Sequence, residues 1–147
     1  MHKALLTATM ATALLFSGMA HAAEFEVKML NKDEKGAMVF EPDFIKAMPG
    51  DTVRFIPTSK GHNVESIKGM LPEGVTKFKS KFNKEYVLML ENNGLYGIKC
   101  SPHYSMGMVA LISVGEPTNE ADAMGAKQKG NAKKRFKTIF EEYEASK

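Results

Sequence analysis

The sequence predicts an all-β domain, a β-sandwich, with a C-terminal α-helical extension. Up to residue 114, seven or eight short apolar or alternating segments are separated by turn signals, which is the pattern of a sandwich. Beyond that point the pattern changes to one apolar helical stripe. The residues Phe136, Ile139, Phe140 and Tyr143 recur at helical spacing.

The N-terminal half contains four extended segments. Phe25, Val27 and Met29 alternate with charged residues, which is typical of a half-buried strand. Pro42 interrupts a longer apolar stretch and indicates a bent or edge segment, since proline cannot donate to a strand ladder. The segments are residues 24–29, 38–47, 52–56 and 61–66.

The second half begins with residues 68–81, which are rich in lysine and contain two glycines and a proline. This composition predicts an irregular excursion, with room for a helical turn. The continuous apolar run within 85–91 predicts a core strand. Residues 95–99 and 107–114 are expected to be neighbouring strands joined by one loop.

The C-terminal tail is too small to be an independent domain. A short helix is expected over 121–127 and a longer one after Gly130, so that helices cover about 119–146. The apolar stripe of the longer helix predicts that it packs back on the sandwich.

The first residues resemble an export signal. Lys3 precedes a mostly apolar stretch that ends in the small-x-small sequence Ala20-His21-Ala22. The stretch is too short and too often interrupted for a stable membrane span. We therefore expect a signal peptide at 1–22, a mature domain at 23–147 without a membrane span, and a periplasmic location.

Charge and cysteine content exclude several classes of protein. The formal net charge of +3 is too small a bias to indicate binding of nucleic acid. The single cysteine, Cys100, rules out an internal disulfide, and a free thiol is a liability in an oxidising compartment. Outside the predicted signal, the only two histidines are His62 and His103.

A metal-binding pattern surrounds that cysteine. Cys100, His103 and Met108 lie in one short segment, and His62 lies upstream in Gly-His-Asn-Val. One thiolate and two imidazoles with a weak axial thioether form the ligand set of a blue-copper electron-transfer site. The sequence therefore predicts one copper ion per chain, cycling between Cu(I) and Cu(II), and a one-electron carrier rather than an enzyme.

Neighbouring residues are expected to support this site. Pro102 lacks a backbone N–H and stiffens the loop between two ligands. Asn63 is expected to brace the two ligand-bearing loops through side-chain hydrogen bonds. Met106 competes with Met108 for the axial position, and the longer loop to Met108 favours the latter.

Three other functions fit less well. A copper chaperone or storage protein would use exposed, exchangeable ligands, whereas these converge from separate segments. A structural zinc site prefers four strong ligands. An enzyme with Cys100 as nucleophile and His103 as base would need an orienting acid and an oxyanion site, and neither is evident.

The ligand segments resemble those of the cupredoxins. The approach Asn93-Gly94-Leu95-Tyr96-Gly97-Ile98-Lys99-Cys100, the order of elements and the helical tail are similar to the pseudoazurin family in particular. The resemblance covers the whole predicted mature chain and implies a two-sheet Greek-key sandwich with His62, Cys100, His103 and Met108 as copper ligands. It also implies electron delivery to a periplasmic reductase of denitrification, typically nitrite reductase.

A docking surface is expected around the exposed edge of His103. Apolar side chains there would allow close approach, and lysines around them would steer the carrier onto an acidic partner. We expect a monomer that takes electrons from a cytochrome-type donor and passes them to the reductase. The predicted docking residues are Met38, Met106, Lys60, Lys79 and Lys99.

Overall fold

The computed structural model describes residues 21–147 and contains two four-stranded sheets packed face to face, which confirms the predicted sandwich. The first sheet has the order β2-β1-β4-β6 and the second β3-β8-β7-β5. The predicted signal peptide lies outside the described residues, apart from His21 and Ala22. The strands are β1 (Glu24–Asp33), β2 (Gly36–Glu41), β3 (Phe44–Ala47), β4 (Thr52–Ile56), β5 (Glu65–Ser66), β6 (Tyr86–Met89), β7 (Gly94–Lys99) and β8 (Val109–Val114).

The chain changes sheets at Pro42, where the sequence predicted a bend. β2 is the edge strand of the first sheet and β3 the edge strand of the second, with a cis Glu41–Pro42 bond between them. β3 pairs in parallel with β8, and β1 pairs in parallel with β4. The proline therefore lies in the connection between two edge strands, where its missing N–H interrupts no ladder.

The first sheet has one buried and one exposed face. Val27, Met29, Val53 and Phe55 are buried, and the residues between them are partly or fully exposed, as the alternation predicted. The predicted strand within 85–91 is present as β6, and Leu88 and Leu90 are buried in the core, but it is not covered on both faces as a core strand would be. β6 is an edge strand on which Val87 and Met89 are 47% and 65% exposed, because only one face of this sheet is covered.

The two central strands of the second sheet are buried on both faces. All six residues of β8 are buried, and so are the first five of β7. The C-terminal helices, α1 (Glu120–Gly125) and α2 (Asn131–Ala145), cover its outer face. Phe136 and Ile139 of α2 share a buried cluster with Leu111, which confirms that the tail packs on the sandwich.

The segment between β4 and β6 is less regular than expected. Only Glu65 and Ser66 form a strand in the stretch 61–66 that was predicted to be extended. Upstream of them, His62 lies in a loop, and its backbone carbonyl accepts a hydrogen bond from the backbone N–H of Asn83. Residues 68–81 form turns, as predicted, and contain no helix. Within residues 21–147, no helix is long and apolar enough to cross a membrane.

Candidate metal centre

The predicted ligands come together at one end of the sandwich. β7 ends at Lys99 and is followed at once by Cys100. The chain then makes a short 3₁₀ turn (Tyr104–Met106) and enters β8. Within this loop the backbone N–H of Cys100 donates to the carbonyl of Met108, and that of Met108 donates to the carbonyl of His103. The two strands therefore close the loop around its own ligand candidates.

Three donor atoms face a common point. The Nδ1 atoms of His62 and His103 are 3.2 Å apart, and they lie 3.7 and 3.5 Å from the sulfur of Cys100. A point in the plane of the three atoms lies about 2.0 Å from each, close to the metal–imidazole bond length of about 2.0–2.1 Å known for zinc. One soft sulfur and two imidazole nitrogens in this arrangement suit a copper ion.

Burial favours the uncharged forms of the two most buried ligand candidates. His62 and Cys100 are fully buried, whereas His103 is only half-buried. Burial raises the pKa of the Cys100 thiol, against hydrogen bonds from the backbone of Asn63 and from His103. Burial and the nearby His103 lower the pKa of His62. Without a metal the pair is a neutral thiol and a neutral imidazole, so metal binding must release the thiol proton.

A contact to His62 from β1 has no counterpart in the sequence analysis. The Nε2 atom of His62 lies 2.8 Å from the side-chain oxygen of Asn31, near the end of β1. This contact fixes Nε2 as the protonated nitrogen, because an amide oxygen only accepts, and it turns Nδ1 towards Cys100. No local sequence pattern around Asn31 predicts this role, since the contact depends on how β1 and the His62 loop come together in the fold.

Asn63 links the two ligand-bearing loops. Its side-chain amide donates to the Ser101 hydroxyl at 2.8 Å, and its side-chain oxygen accepts from the Ser101 backbone N–H at 2.8 Å. The Ser101 hydroxyl in turn donates to Glu65 at 2.5 Å. The residue next to His62 therefore holds the residue next to Cys100. Sequence reasoning missed Ser101 and Glu65, although Ser101 lies inside the ligand motif.

The two methionine candidates differ sharply in exposure. Met108 is fully buried in the main core cluster, which also contains Cys100. Met106 ends the 3₁₀ turn and is 43% exposed. Met108 is thus within the core beside the cysteine, while Met106 lies at the surface.

The predicted docking residues divide into two groups. Met106 is exposed, Met38 is half-buried, and Lys60 is exposed with no carboxylate within salt-bridge distance among residues 21–147. Lys79 and Lys99, in contrast, both pair with Glu65, at 3.7 and 3.9 Å.

Lys99 is also held in place by an aromatic contact. Its side chain is only 24% exposed, and its ammonium lies 5.0 Å from the centroid of the Tyr104 ring. The contact and the pairing with Glu65 leave this lysine little freedom to meet a partner.

Comparison with known proteins gives a consistent result. Residues 27–115 match the family of copper-binding proteins described as plastocyanin/azurin. Pseudoazurin from Paracoccus pantotrophus is 53% identical over 132 residues, which are 89% of this chain and 91% of that protein.

Solved structures of pseudoazurins resemble the whole domain. The structure from Methylobacterium extorquens AM1 is 44% identical with a TM-score of 0.80, covering 82% of this chain and 98% of that one. The structure from Hyphomicrobium denitrificans is 48% identical with a TM-score of 0.77, covering 81% and 97%. The chain therefore belongs to the pseudoazurins, cupredoxins that bind copper and carry electrons to redox partners, and it is not an enzyme.

Proposed function

We propose that His62, Cys100, His103 and Met108 hold one copper ion, and that this centre carries single electrons in the periplasm to a reductase of denitrification. The observation that carries the proposal is the common point about 2.0 Å from one sulfur and two nitrogens. Bound copper would supply the one-electron couple, and the residues of the chain would set its surroundings.

The support for Met108 as the fourth ligand comes from burial and loop closure. Its side chain is fully buried in the cluster that contains Cys100, and its backbone bonds to both Cys100 and His103. A thioether is a weak ligand, and the protein around it determines how close it lies. Met106, at the surface, has no comparable restraint.

The support for electron transfer comes from the fixed arrangement of the ligands. His62 is held by Asn31, and the loops of His62 and Cys100 are joined through Asn63 and Ser101. Ligands held in this way move little when the charge of the metal changes. A small rearrangement is the condition for rapid electron transfer, so the centre suits repeated oxidation and reduction.

The burial of the ligand candidates argues against a copper chaperone or storage protein. Release of an ion needs ligands that an acceptor can reach, and both His62 and Cys100 are fully buried. Reversible one-electron titration with the metal retained separates the two functions, since a chaperone would lose Cu(I) to an added chelator during the cycle.

The periplasmic location depends on the signal-like residues 1–22. In our proposal these residues direct export and are removed, leaving a domain from residue 23 to 147. The donor would be a cytochrome-type protein and the acceptor nitrite reductase or a similar enzyme, as the pseudoazurin resemblance implies.

The half-exposed His103 is the proposed route for the electron, since the other two ligands of the triangle are fully buried. In the same loop Pro102 and Met106 are exposed, and Lys60, two residues before His62, is exposed with no salt bridge among residues 21–147. We assign Lys79 and Lys99 a smaller part in steering than Lys60, because Glu65 offsets their charges.

Stopped-flow electron transfer to nitrite reductase at varied ionic strength tests the proposal. Steering of this kind is screened over about 8 Å at physiological salt, so the second-order rate should fall steeply as salt is added. Lys60→Glu should slow association and leave the copper spectrum unchanged. Lys46→Glu is the matched control. Lys46 is also exposed, and it lies on β3 opposite Ser113, near the end of β8 that is remote from the metal loop.

A rate that responds neither to salt nor to Lys60→Glu would contradict the docking surface. Failure of nitrite reductase to accept electrons at all, with a normal copper spectrum, would contradict the acceptor and leave the metal centre intact.

A further inference from the structure

Arg135, on α2, reaches from the C-terminal helix to the metal loop. Its Nη1 atom donates to the carbonyl of Gly107 at 2.7 Å and to the carbonyl of Met38 at 2.9 Å. Gly107 immediately precedes Met108, and Met38 belongs to β2, in the other sheet. One guanidinium therefore connects the helix, the first sheet and the residue before the proposed axial ligand.

The guanidinium makes these bonds without a carboxylate partner. No acidic side chain among residues 21–147 lies within salt-bridge distance of Arg135, which is half-buried. Hydrogen bonds from a charged donor are about twice as strong as neutral ones. The hydrogen bonds of the Arg135 guanidinium thus go to the carbonyls of Gly107 and Met38.

The two accepting residues both have a positive φ, and only one of them is strained by it. Met38 has a φ of 54°, in the left-handed region that residues with a side chain rarely adopt, whereas Gly107 takes its φ of 98° without a steric penalty. A conformation like that of Met38 persists only where the surroundings hold it. Arg135 supplies part of that hold on Met38, and the same guanidinium fixes the direction of the Gly107 carbonyl.

The start of α2 touches the same loop at two further points. The N-terminal cap of the helix, Gly130, lies so close to Ser105 that an added Cβ would come within 2.5 Å of the Ser105 carbonyl oxygen. The Tyr104 hydroxyl donates to the side-chain oxygen of Gln128 at 2.5 Å. The whole 3₁₀ turn between His103 and Met108 therefore rests on the C-terminal extension.

We propose that Arg135 is a positioning residue of the copper centre, which fixes Gly107 and through it the distance of the Met108 thioether from the metal. The inference rests on the proposed assignment of Met108 as axial ligand. A weak axial bond offers little resistance to displacement, so a small shift of the loop changes it more than it changes the bonds to sulfur and imidazole.

The test compares Cu(II)-loaded variants by EPR and visible spectroscopy. Arg135→Met should weaken the axial bond and give a more nearly axial EPR signal, with a change in the relative intensities of the thiolate-to-copper bands. Arg135→Lys keeps the charge without the planar fork and should restore part of the native signal. Lys134→Met removes a positive charge from the neighbouring exposed position and should leave both spectra unchanged.

A double-mutant comparison shows whether the effect passes through Met108. In a Met108→Leu background no thioether remains, so adding Arg135→Met should then change the spectra little. An equally large change in that background would overturn the inference, and so would a native spectrum in Arg135→Met. If Met108→Leu alone leaves the spectrum and potential native, the ligand assignment fails instead, which separates the two failures.

Discussion

The two sheets of this protein are built differently, and the candidate metal centre lies at one end of the sandwich that they form. In the first sheet, buried and exposed residues alternate, and its edge strand β6 exposes Val87 and Met89. In the second, β7 and β8 are buried on both sides, by the sandwich core and by the helices. A strand covered on both faces has few ways to move.

The ligand candidates follow this division. Cys100, His103 and Met108 lie between the two covered strands, while His62 lies in the loop that connects β4 of the first sheet to β5 of the second. The covered strands therefore position three ligand candidates, and the connection between the sheets positions the fourth. Asn31 and Asn63 restrain that connection, since their side chains tie the His62 loop to β1 and to Ser101.

The largest expected effect comes from Cys100→Ser, which removes the only sulfur of the three-atom triangle. An alcohol is a far harder and less charge-donating ligand than a thiolate, so the intense charge-transfer band should disappear completely. Visible absorption after addition of copper measures this. A variant that stays intensely coloured would show that the covered sheet does not provide the charge-donating ligand.

The helix cover should contribute strongly to stability. Phe136→Ala removes a fully buried ring between α2 and the second sheet, and we expect a loss of about 3–5 kcal/mol in the free energy of unfolding. Val87→Ala on the exposed face of β6 should stay within about 0.5 kcal/mol of the native value. Denaturant unfolding measures both, and equal losses would remove the distinction between the two sheets.

The potential should respond to Met108 and not to Met106. Met108→Gln replaces a soft thioether with a harder oxygen, which favours Cu(II) and should lower the potential by at least about 60 mV, a tenfold change for one electron. Met106→Gln, at an exposed position two residues earlier, is the matched control and should shift the potential little. Protein-film voltammetry measures both, and the opposite ranking would reassign the axial ligand to Met106.

The metal-free protein should lose stability at both low and high pH, through His62 at the acid end and Cys100 at the alkaline end. Because the pKa of His62 is lowered on folding, the unfolded chain binds the extra proton first, so stability should fall as the pH drops below about 6.5. Because the pKa of Cys100 is raised on folding, stability should also fall as the pH rises above about 8.5.

Neither slope should exceed about 1.4 kcal/mol per pH unit from its single group. Thermal unfolding of the metal-free protein between about pH 5.5 and 9.5 measures both limits, with His62→Gln as the control that removes the acid limit. If this variant keeps the full slope below about pH 6.5, His62 is not its source.

Much of the fold could be predicted because local patterns determined it. Alternation located β1 and β4, and the helical stripe located α2. The error at β6 arose because an apolar run alone does not reveal whether one or both faces of a strand are covered. That depends on the position of the strand in the sheet, which is a property of the whole chain.

The site divides in the same way. His103 directly follows a proline, Met108 directly follows a glycine, and Cys100 is the only cysteine of the sequence, while His62 lies in the short motif Gly-His-Asn-Val. Asn31, Glu65 and Arg135 carry no such mark. Each acts on a segment far away along the chain, so only the folded structure brings its contact into view. The pairing of Lys99 with Glu65 is of the same kind.

The most direct test of the proposed copper centre is a redox cycle of the native protein loaded with one equivalent of copper. We expect an intense thiolate-to-copper band and a narrow EPR hyperfine splitting. Both should vanish on one-electron reduction and return fully on reoxidation, with the metal retained in the presence of a Cu(I) chelator. A weak band with an ordinary copper EPR signal, or loss of the ion on reduction, would contradict the claim that these four residues form an electron-transfer centre.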